Sequence, residues 1–180
     1  MAWEAEFLLS LQSIRTPFLD TLMGLFTMLG YKGIFSVALG LILLIFAKTR
    51  RTGFEVLLSV ALALLFANLL IKNIVARPRP CEVYSFLPAL VRVPSDSSFP
   101  SGHTTNAFAV ATAIFLNHKK AGVIAFVIAA LVAFSRMYNC MHYPTDVLAG
   151  IVIGAGFAVL VHYVIYPVCD NRLRERKESR

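Results

Sequence analysis

Three clusters of polar residues carry the side chains needed to bind a phosphate group and to attack it. Each cluster lies at the end of a long apolar segment of the 180-residue chain. Together they supply cations, hydroxyls and two imidazoles, in three groups: Lys72 with Arg79-Pro80, then Pro100-Ser101-Gly102-His103, then Ser135-Arg136 followed by His142 and Asp146.

The first cluster places cations at and just beyond the end of a predicted helix. Lys72 lies in its last turns, and Pro78 and Pro80 end it, because each proline lacks a backbone donor and restricts the residue before it. A guanidinium binds two phosphate oxygens at once, and an ammonium adds a point charge. Arg77 and Arg79 are both within reach of such a ligand, and the residue pattern leaves the choice between them open. Cations that snorkel to the membrane edge are the alternative for this cluster.

The second cluster begins a helix in the manner of an anion-binding helix. Pro100 suits the first turn, where the free N–H groups and the helix dipole attract an anion. Gly102 lets the backbone approach a ligand closely. Ser101 can donate a hydroxyl hydrogen bond, and His103 can give a proton to a leaving oxygen. Plain helix capping by Ser101 is the alternative.

The third cluster adds a further cation, an imidazole and a carboxylate. Arg136 can supply another phosphate contact. His142 and Asp146 are four residues apart, so a helix that begins near Pro144 brings the carboxylate towards the ring. A carboxylate on one ring nitrogen leaves the other nitrogen free as a nucleophile. The alternative is an aspartate favoured by the helix dipole alone.

The composition is typical of a membrane protein. Hydrophobic residues make up 58% of the chain and charged residues 15%, and the mean hydropathy is +0.71. A soluble domain of this size could not bury so much apolar surface. The net charge of +7 does not indicate nucleic-acid binding, because the charges lie in short groups between apolar segments. The expected partners are the membrane and its anionic lipid headgroups.

The apolar segments predict an all-α fold, a six-span transmembrane helical bundle that forms one domain over residues 1–180, with the clusters inside 72–146. The predicted spans are 17–29, 33–47, 53–76, 101–118, 121–135 and 146–168. Several are shorter than the roughly 20 residues of a full crossing, and the first also contains Asp20. Residues 1–15 have the pattern of a short amphipathic interfacial helix, or of the start of the first span.

Basic residues predict the orientation in the cell membrane. They concentrate after the second, fourth and sixth spans, as Lys48, Arg50 and Arg51, then Lys119 and Lys120, then Arg172, Arg174, Arg176, Lys177 and Arg180. An even number of spans puts these groups on one face, which the positive-inside rule makes cytoplasmic, with the C-terminus on that side. The three clusters are then expected on the extracytoplasmic face.

The three clusters together resemble the signature of the type 2 phosphatidic acid phosphatase superfamily of membrane lipid phosphatases, K-x6-R-P, P-S-G-H and S-R-x5-H-x3-D. Every spacing matches, and the resemblance extends over roughly residues 50–168. It implies that His142 attacks phosphorus and becomes a phosphohistidine, that Asp146 orients it, and that His103 protonates the leaving group. It also implies phosphate contacts from Lys72, Arg79, Ser101, Gly102 and Arg136.

The resemblance also implies a reaction, the metal-independent hydrolysis of a lipid phosphate or lipid pyrophosphate at the outer membrane face, with no cofactor. Undecaprenyl pyrophosphate is the first candidate substrate, and phosphatidylglycerol phosphate and phosphatidic acid are the alternatives. More distant alternatives are a vanadate-dependent haloperoxidase, which shares the clusters, and a non-enzymatic lipid-binding or transport protein. The chain has no HExxH and no paired cysteines of the kind that bind a metal.

Two cysteines are expected on the same face as the clusters. An oxidising exterior would permit a disulfide between Cys81 and Cys140, and two free thiols are the alternative.

Overall fold

The computed structural model describes residues 2–30 and 33–169, and these residues form helices whose connections are short except for residues 84–101. This confirms the predicted all-α class. The basic C-terminal tail and Lys32, which entered the orientation argument, lie outside the described residues.

The helices follow one another as α1 to α9. Their bounds are α1 Ala2–Gln12, α2 Pro17–Leu29, α3 Ile34–Ile45, α4 Arg50–Leu64, α5 Lys72–Val75, α6 Pro80–Val83, α7 Gly102–Asn117, α8 Lys119–Tyr138 and α9 Pro144–Leu160. A π-helical stretch, Leu65–Ile71, connects α4 to α5, and a second one, Val161–Ile165, continues α9.

Helix length and apolarity support fewer membrane crossings than the six that were predicted. Three helical stretches of the described residues are long and apolar enough to span a bilayer, namely Arg50–Val83, Lys119–Tyr138 and Pro144–Cys169. Together α2 and α3 form a fourth candidate that is bent by 55°. At 16 residues, α7 is shorter than these stretches, although α4, α8 and α9 all pack against it. The six-span count is therefore not confirmed.

The contacts of α2 explain part of that difference. Near its start, Asp20 accepts a hydrogen bond from the Tyr138 hydroxyl at 2.7 Å. Near its end, the Thr27 hydroxyl lies 2.9 Å from the hydroxyl of Ser135 and 2.9 Å from the amide nitrogen of Asn139. All three partners belong to the last turn of α8 or follow it directly, so α2 lies at one end of the bundle. We call this the site end.

Two glycines allow α7 and α9 to approach closely. A Cβ on Gly154 would lie 2.2 Å from the backbone oxygen of Thr105, and one on Gly150 would lie 2.9 Å from that of Ser101. Glycines four residues apart share one helix face, and such faces let helix backbones touch in membrane proteins. This contact fixes the start of α7, where the second cluster lies.

A predicted helix at the N-terminus is present as α1, separate from α2. Leu8 and Leu11 are buried in an apolar cluster with Leu87 and Cys140. Cys81 packs against this cluster, and both cysteines are free thiols in the structure.

A buried acidic residue stabilises the opposite end of the bundle. Glu55 of α4 accepts hydrogen bonds from Asn117 at 2.6 Å and from Arg51 at 2.8 Å, and it lies 2.8 Å from the His162 ring. Glu55 is fully buried. His162 and Asn117 are therefore structural partners of Glu55 at the end of the bundle opposite the three clusters.

Candidate active site

All three clusters meet at one cavity of about 610 Å³ at the site end. The first cluster contributes Lys72 and Arg79, the second Gly102 and His103, and the third Arg136 and His142. Segments that are more than 60 residues apart in the chain thus share one wall. Residues of α2 and of the connection before α7 complete the lining.

Arg136 is the cation whose surroundings are most unusual. It is 2% exposed, and its Nη1 donates a 3.3 Å hydrogen bond to the Thr27 hydroxyl. Its Nε has no acceptor, and among residues 2–30 and 33–169 no carboxylate lies within 4.0 Å of the guanidinium. A buried charge is costly unless an opposite charge compensates it. An anion bound in the cavity beside Arg136 would therefore compensate this charge.

Asp96 pairs with the other two cations of the cavity, and the sequence analysis missed it. Its carboxylate pairs with Lys72 and lies 2.6 Å from Nη2 of Arg79. Burial opposes its ionisation, but the hydrogen bonds from Lys72 and Arg79 outweigh burial and lower the pKa of Asp96. The sequence does contain a signal that could have drawn attention to Asp96, because this is the one acidic residue between Glu82 and Asp146.

His142 is held by a backbone carbonyl rather than by the predicted carboxylate. Its Nδ1 lies 2.7 Å from the Ser98 oxygen, so Nδ1–H donates to that carbonyl and Nε2 keeps its lone pair. Nε2 lies 3.4 Å from Nη1 of Arg79. Burial lowers the pKa of His142 to about 4, which keeps the ring neutral and nucleophilic near neutral pH.

Asp146 reaches the imidazole indirectly. Its Oδ2 is 3.7 Å from Nδ1 of His142, too far for a hydrogen bond, and accepts one from the Ser98 hydroxyl instead. The structure thus shows no direct hydrogen bond between the carboxylate and the ring, and the orienting role of Asp146 stays a prediction. The direct bond is absent because α9 begins at Pro144, which directs Asp146 back to cap its own helix at the Tyr143 N–H, at 2.9 Å.

The structure decides between Arg77 and Arg79, a choice that the sequence left open. Arg79 is 1% exposed and lines the cavity, and it donates to the Met141 oxygen at 2.9 Å. Arg77 is not part of the lining. It donates to Asp146 at 2.6 Å and to Glu4 at 2.7 Å, and its guanidinium lies 3.8 Å from the centre of the Tyr143 ring.

The second cluster only partly matches its predicted roles. Gly102 and His103 line the cavity, but Ser101 is fully buried and is absent from the lining. Its hydroxyl oxygen accepts a 2.9 Å hydrogen bond from the Thr104 hydroxyl. The His103 ring packs against Gly30, where a Cβ would lie 2.5 Å from Cδ2 of the imidazole. Gly30 thus leaves the space that the ring occupies.

Sequence comparison assigns most of the chain to a known family. Residues 52–168 match the family described as the PAP2 superfamily. Bacitracin transport permease protein BcrC of Bacillus licheniformis is 34% identical over 71% of this chain and 64% of its own length. Undecaprenyl-diphosphatase of Sulfolobus acidocaldarius is 32% identical over 66% of this chain and 58% of its own length. The matched region therefore spans less than two thirds of either relative.

The fold is shared with a solved structure. The crystal structure of a transmembrane PAP2-type phosphatidylglycerolphosphate phosphatase from Bacillus subtilis superimposes with a TM-score of 0.75. It is 31% identical and covers 89% of this chain and 83% of its own. Because the family match takes in more than half of the chain and contains all three clusters, the chain belongs to the PAP2 superfamily.

Proposed function

We propose that this protein is a membrane lipid phosphatase that uses His142 as its nucleophile and needs no metal ion. The observation that carries the proposal is the buried guanidinium of Arg136, which has no carboxylate partner among the described residues and faces the same cavity as two imidazoles. A phosphate group would supply the missing anion, and its oxygens would bind Lys72 and Arg79 in place of Asp96.

The first step is transfer of the phosphoryl group to His142. Nε2 attacks phosphorus, the bond from phosphorus to the leaving oxygen breaks, and His103 gives its proton to that oxygen. The three cations stabilise the charge on the phosphoryl oxygens. Ser98 keeps Nδ1 protonated through its carbonyl, so the attacking nitrogen is always Nε2.

The second step releases phosphate. A water molecule attacks the phosphohistidine, His103 accepts a proton from that water, and the bond between Nε2 and phosphorus breaks. Orthophosphate leaves and both histidines return to their starting forms. A His142 ring that is neutral before the reaction and after it suits both steps. The neutral ring is the nucleophile of the first step and the leaving group of the second.

The substrate we propose first is undecaprenyl diphosphate. A relative of the chain bears the name undecaprenyl-diphosphatase, and the cavity lining includes Leu25, Met28 and Leu64 beside the cations. Phosphatidylglycerol phosphate is the second candidate, supported by the solved relative of that activity. Phosphatidic acid is the third candidate substrate, because it is also a lipid phosphate.

Phosphate release from the purified protein tests the proposal. We expect release from a panel of these lipids in detergent, with undecaprenyl diphosphate fastest and with full activity in EDTA. Loss of activity in EDTA would contradict the metal-independent mechanism. Halide oxidation in the presence of vanadate, or full lipid activity in His142→Ala, would favour a haloperoxidase or a binding protein instead.

Arg136→Gln tests the observation on which the proposal rests. We expect kcat/KM to fall about 10²–10³-fold, as when a preorganised donor to the reacting group is lost. Arg51→Gln is the matched control, because Arg51 pairs with Glu55 at the opposite end of the bundle. Equal activities of the two variants would contradict a role for Arg136 in phosphate binding.

We further propose that the site opens to the extracytoplasmic side of the cell membrane and that the C-terminus is cytoplasmic. Exposed positions at the two ends of the bundle allow a test, with Ser95→Cys at the site end and Ala121→Cys at the opposite end, each in a background without native cysteines. An impermeant thiol reagent should label the first in intact cells and the second only after permeabilisation. The reverse pattern would put the site in the cytoplasm.

A further inference from the structure

A single hydrogen bond holds the guanidinium of Arg136 within the part of the chain that the structure describes. Nη1 donates to the Thr27 hydroxyl at 3.3 Å, and no other nitrogen of the group bonds to a described residue. Arg79, the other buried arginine of the cavity, donates to the Met141 oxygen and to both the backbone and the carboxylate of Asp96. The orientation of Arg136 therefore depends on Thr27, whereas several partners fix Arg79.

Each hydrogen bond of the Thr27 hydroxyl has a definite direction. A hydroxyl has two lone pairs and one hydrogen. The lone pairs accept from Arg136 and from the Asn139 amide nitrogen, which lies 2.9 Å away. The hydrogen goes to the Ser135 oxygen at 2.9 Å, because the Ser135 hydroxyl donates its own hydrogen to the Val132 carbonyl at 2.7 Å. Every bonding position of the Thr27 hydroxyl is therefore occupied, and its acceptor side faces Arg136.

The bond between Thr27 and Arg136 joins two helices at the site end. Thr27 lies in the last turn of α2 and lines the cavity, and Arg136 lies in the last turn of α8, against which α2 packs. Thr27 is 8% exposed, so water has little room to replace its hydroxyl as the acceptor. Because α2 precedes residues 52–168, this contact comes from outside the region that matches the family.

We infer that Thr27 is a positioning residue for phosphate binding, whose hydroxyl orients Arg136 so that the other N–H groups of the guanidinium meet the phosphoryl oxygens. This role rests on the proposed function, in which Arg136 contacts phosphate. A guanidinium binds two oxygens at once only when its plane is aligned with them. The bond from Nη1 to Thr27 restricts rotation of that plane, so the donors are preorganised before phosphate arrives.

Thr27→Val removes the hydroxyl and keeps the shape of the side chain. We expect two changes of about 10–30-fold each, the range for a lost hydrogen bond to a charged group. The value of kcat/KM should fall for the lipid that the unmodified protein hydrolyses fastest, and the inhibition constant of inorganic phosphate should rise. Thr27→Ser keeps the hydroxyl and should stay within about threefold of the unmodified protein in both quantities.

Thr112→Val is the matched control. Thr112 is also a buried threonine, but it lies on α7 and is not part of the cavity lining. We expect this variant to keep the activity and the inhibition constant of the unmodified protein. A loss equal to that of Thr27→Val would contradict a specific role for Thr27.

A double-mutant cycle with Arg136→Met separates positioning from a general structural role, since methionine has no donor for Thr27. In that background Thr27→Val should lower kcat/KM by less than about twofold, because the group that Thr27 orients is already absent. A threonine that only stabilised α2 would give the same loss in both backgrounds. The inhibition constant does not depend on the amount of folded protein. If Thr27→Val does not fold, Thr27→Ala removes the same acceptor and takes its place in the cycle.

The possible failures are distinguishable. If the unmodified protein neither releases phosphate from the lipids nor binds inorganic phosphate, the proposed function fails, and the role of Thr27 fails with it. If the unmodified protein is active, three results would contradict the role of Thr27 and leave the proposed function standing. These are full activity in Thr27→Val, an equal loss in Thr27→Ser, and losses that add in the cycle.

Discussion

Among single side chains, Asp96 decides how readily the cavity accepts an anion. Its carboxylate contacts two of the three cations that a phosphate group would use. In the proposed function, a bound phosphate would replace Asp96 at these cations. The loss of the Asp96 ion pairs would then offset part of the attraction between the cations and phosphate. The depressed pKa of Asp96 keeps this competition active at neutral pH.

Asp96→Asn should strengthen inhibition by inorganic phosphate about tenfold at pH 7, since a charge-assisted hydrogen bond no longer opposes it. Because the pKa of Asp96 is lowered, the carboxylate stays charged into mild acid, and the difference between the two proteins should vanish only below its usual titration range. The inhibition constant measured from pH 4 to 8 checks this. Glu82→Gln, which alters the acceptor of the Arg79 N–H at 2.8 Å, is the control. Weaker phosphate inhibition in Asp96→Asn would show that Asp96 assists binding.

Among the helices, the contact between α7 and α9 positions the second cluster. Gly150 and Gly154 bring the α9 backbone against Ser101 and Thr105, at the start of α7. His103 lies in the first turn of α7, and α9 begins two residues after His142. The close contact between α7 and α9 therefore also positions the two histidines relative to each other. Packing rather than hydrogen bonding between side chains therefore sets the distance between His142 and His103, the nucleophile and the proton donor of the proposed mechanism.

Gly154→Ala should destabilise the protein by about 1–3 kcal/mol, because the added methyl would meet the Thr105 carbonyl oxygen and force the helices apart. Gly156→Ala is the matched control on the same helix. Nothing lies within 4 Å of its Cβ, so it should be neutral or stabilise by up to about 1 kcal/mol. Unfolding curves in detergent measure both variants. Equal stabilities would contradict the close approach of α7 and α9.

Across the whole molecule, an ion network joins the N-terminal helix to segments that carry the three clusters. Glu4 accepts hydrogen bonds from Arg77 at 2.7 Å and from the Thr145 hydroxyl at 2.6 Å. Arg77 in turn contacts Asp146. The network draws α1, the segment before α6 and the start of α9 to one end of the bundle, although α1 precedes the region matched by the family.

Glu4→Gln should lower stability by about 1–3 kcal/mol, since it leaves Arg77 with one carboxylate partner in a half-buried setting. Cleavage within α1 by an added protease should become faster. Glu6→Gln is the control, because Glu6 is on the same helix and exposed. If both variants unfold alike and resist the protease alike, the network does not hold α1 in place.

Much of the fold followed from local sequence. The predicted segments 17–29 and 33–47 correspond to α2 and α3, because Thr16 and Pro17 start α2 and α3 ends shortly before the polar run that begins at Lys48. The prediction of 17–29 as a separate crossing is not confirmed. The hydrogen bonds of α2 to Tyr138 and Asn139 place this helix at the site end. A hydropathy pattern carries no information about such partners.

The sequence by itself determined the chemistry that could occur, because residue types and their spacing at helix ends are local properties. It identified the cations, the two imidazoles and the family resemblance. Only the tertiary structure decided that Arg79 and not Arg77 faces the cavity, that a Ser98 carbonyl holds His142, and that Asp96 and Thr27 share the site. These contacts join segments distant in the chain, so their geometry depends on how the helices pack, which no single segment specifies.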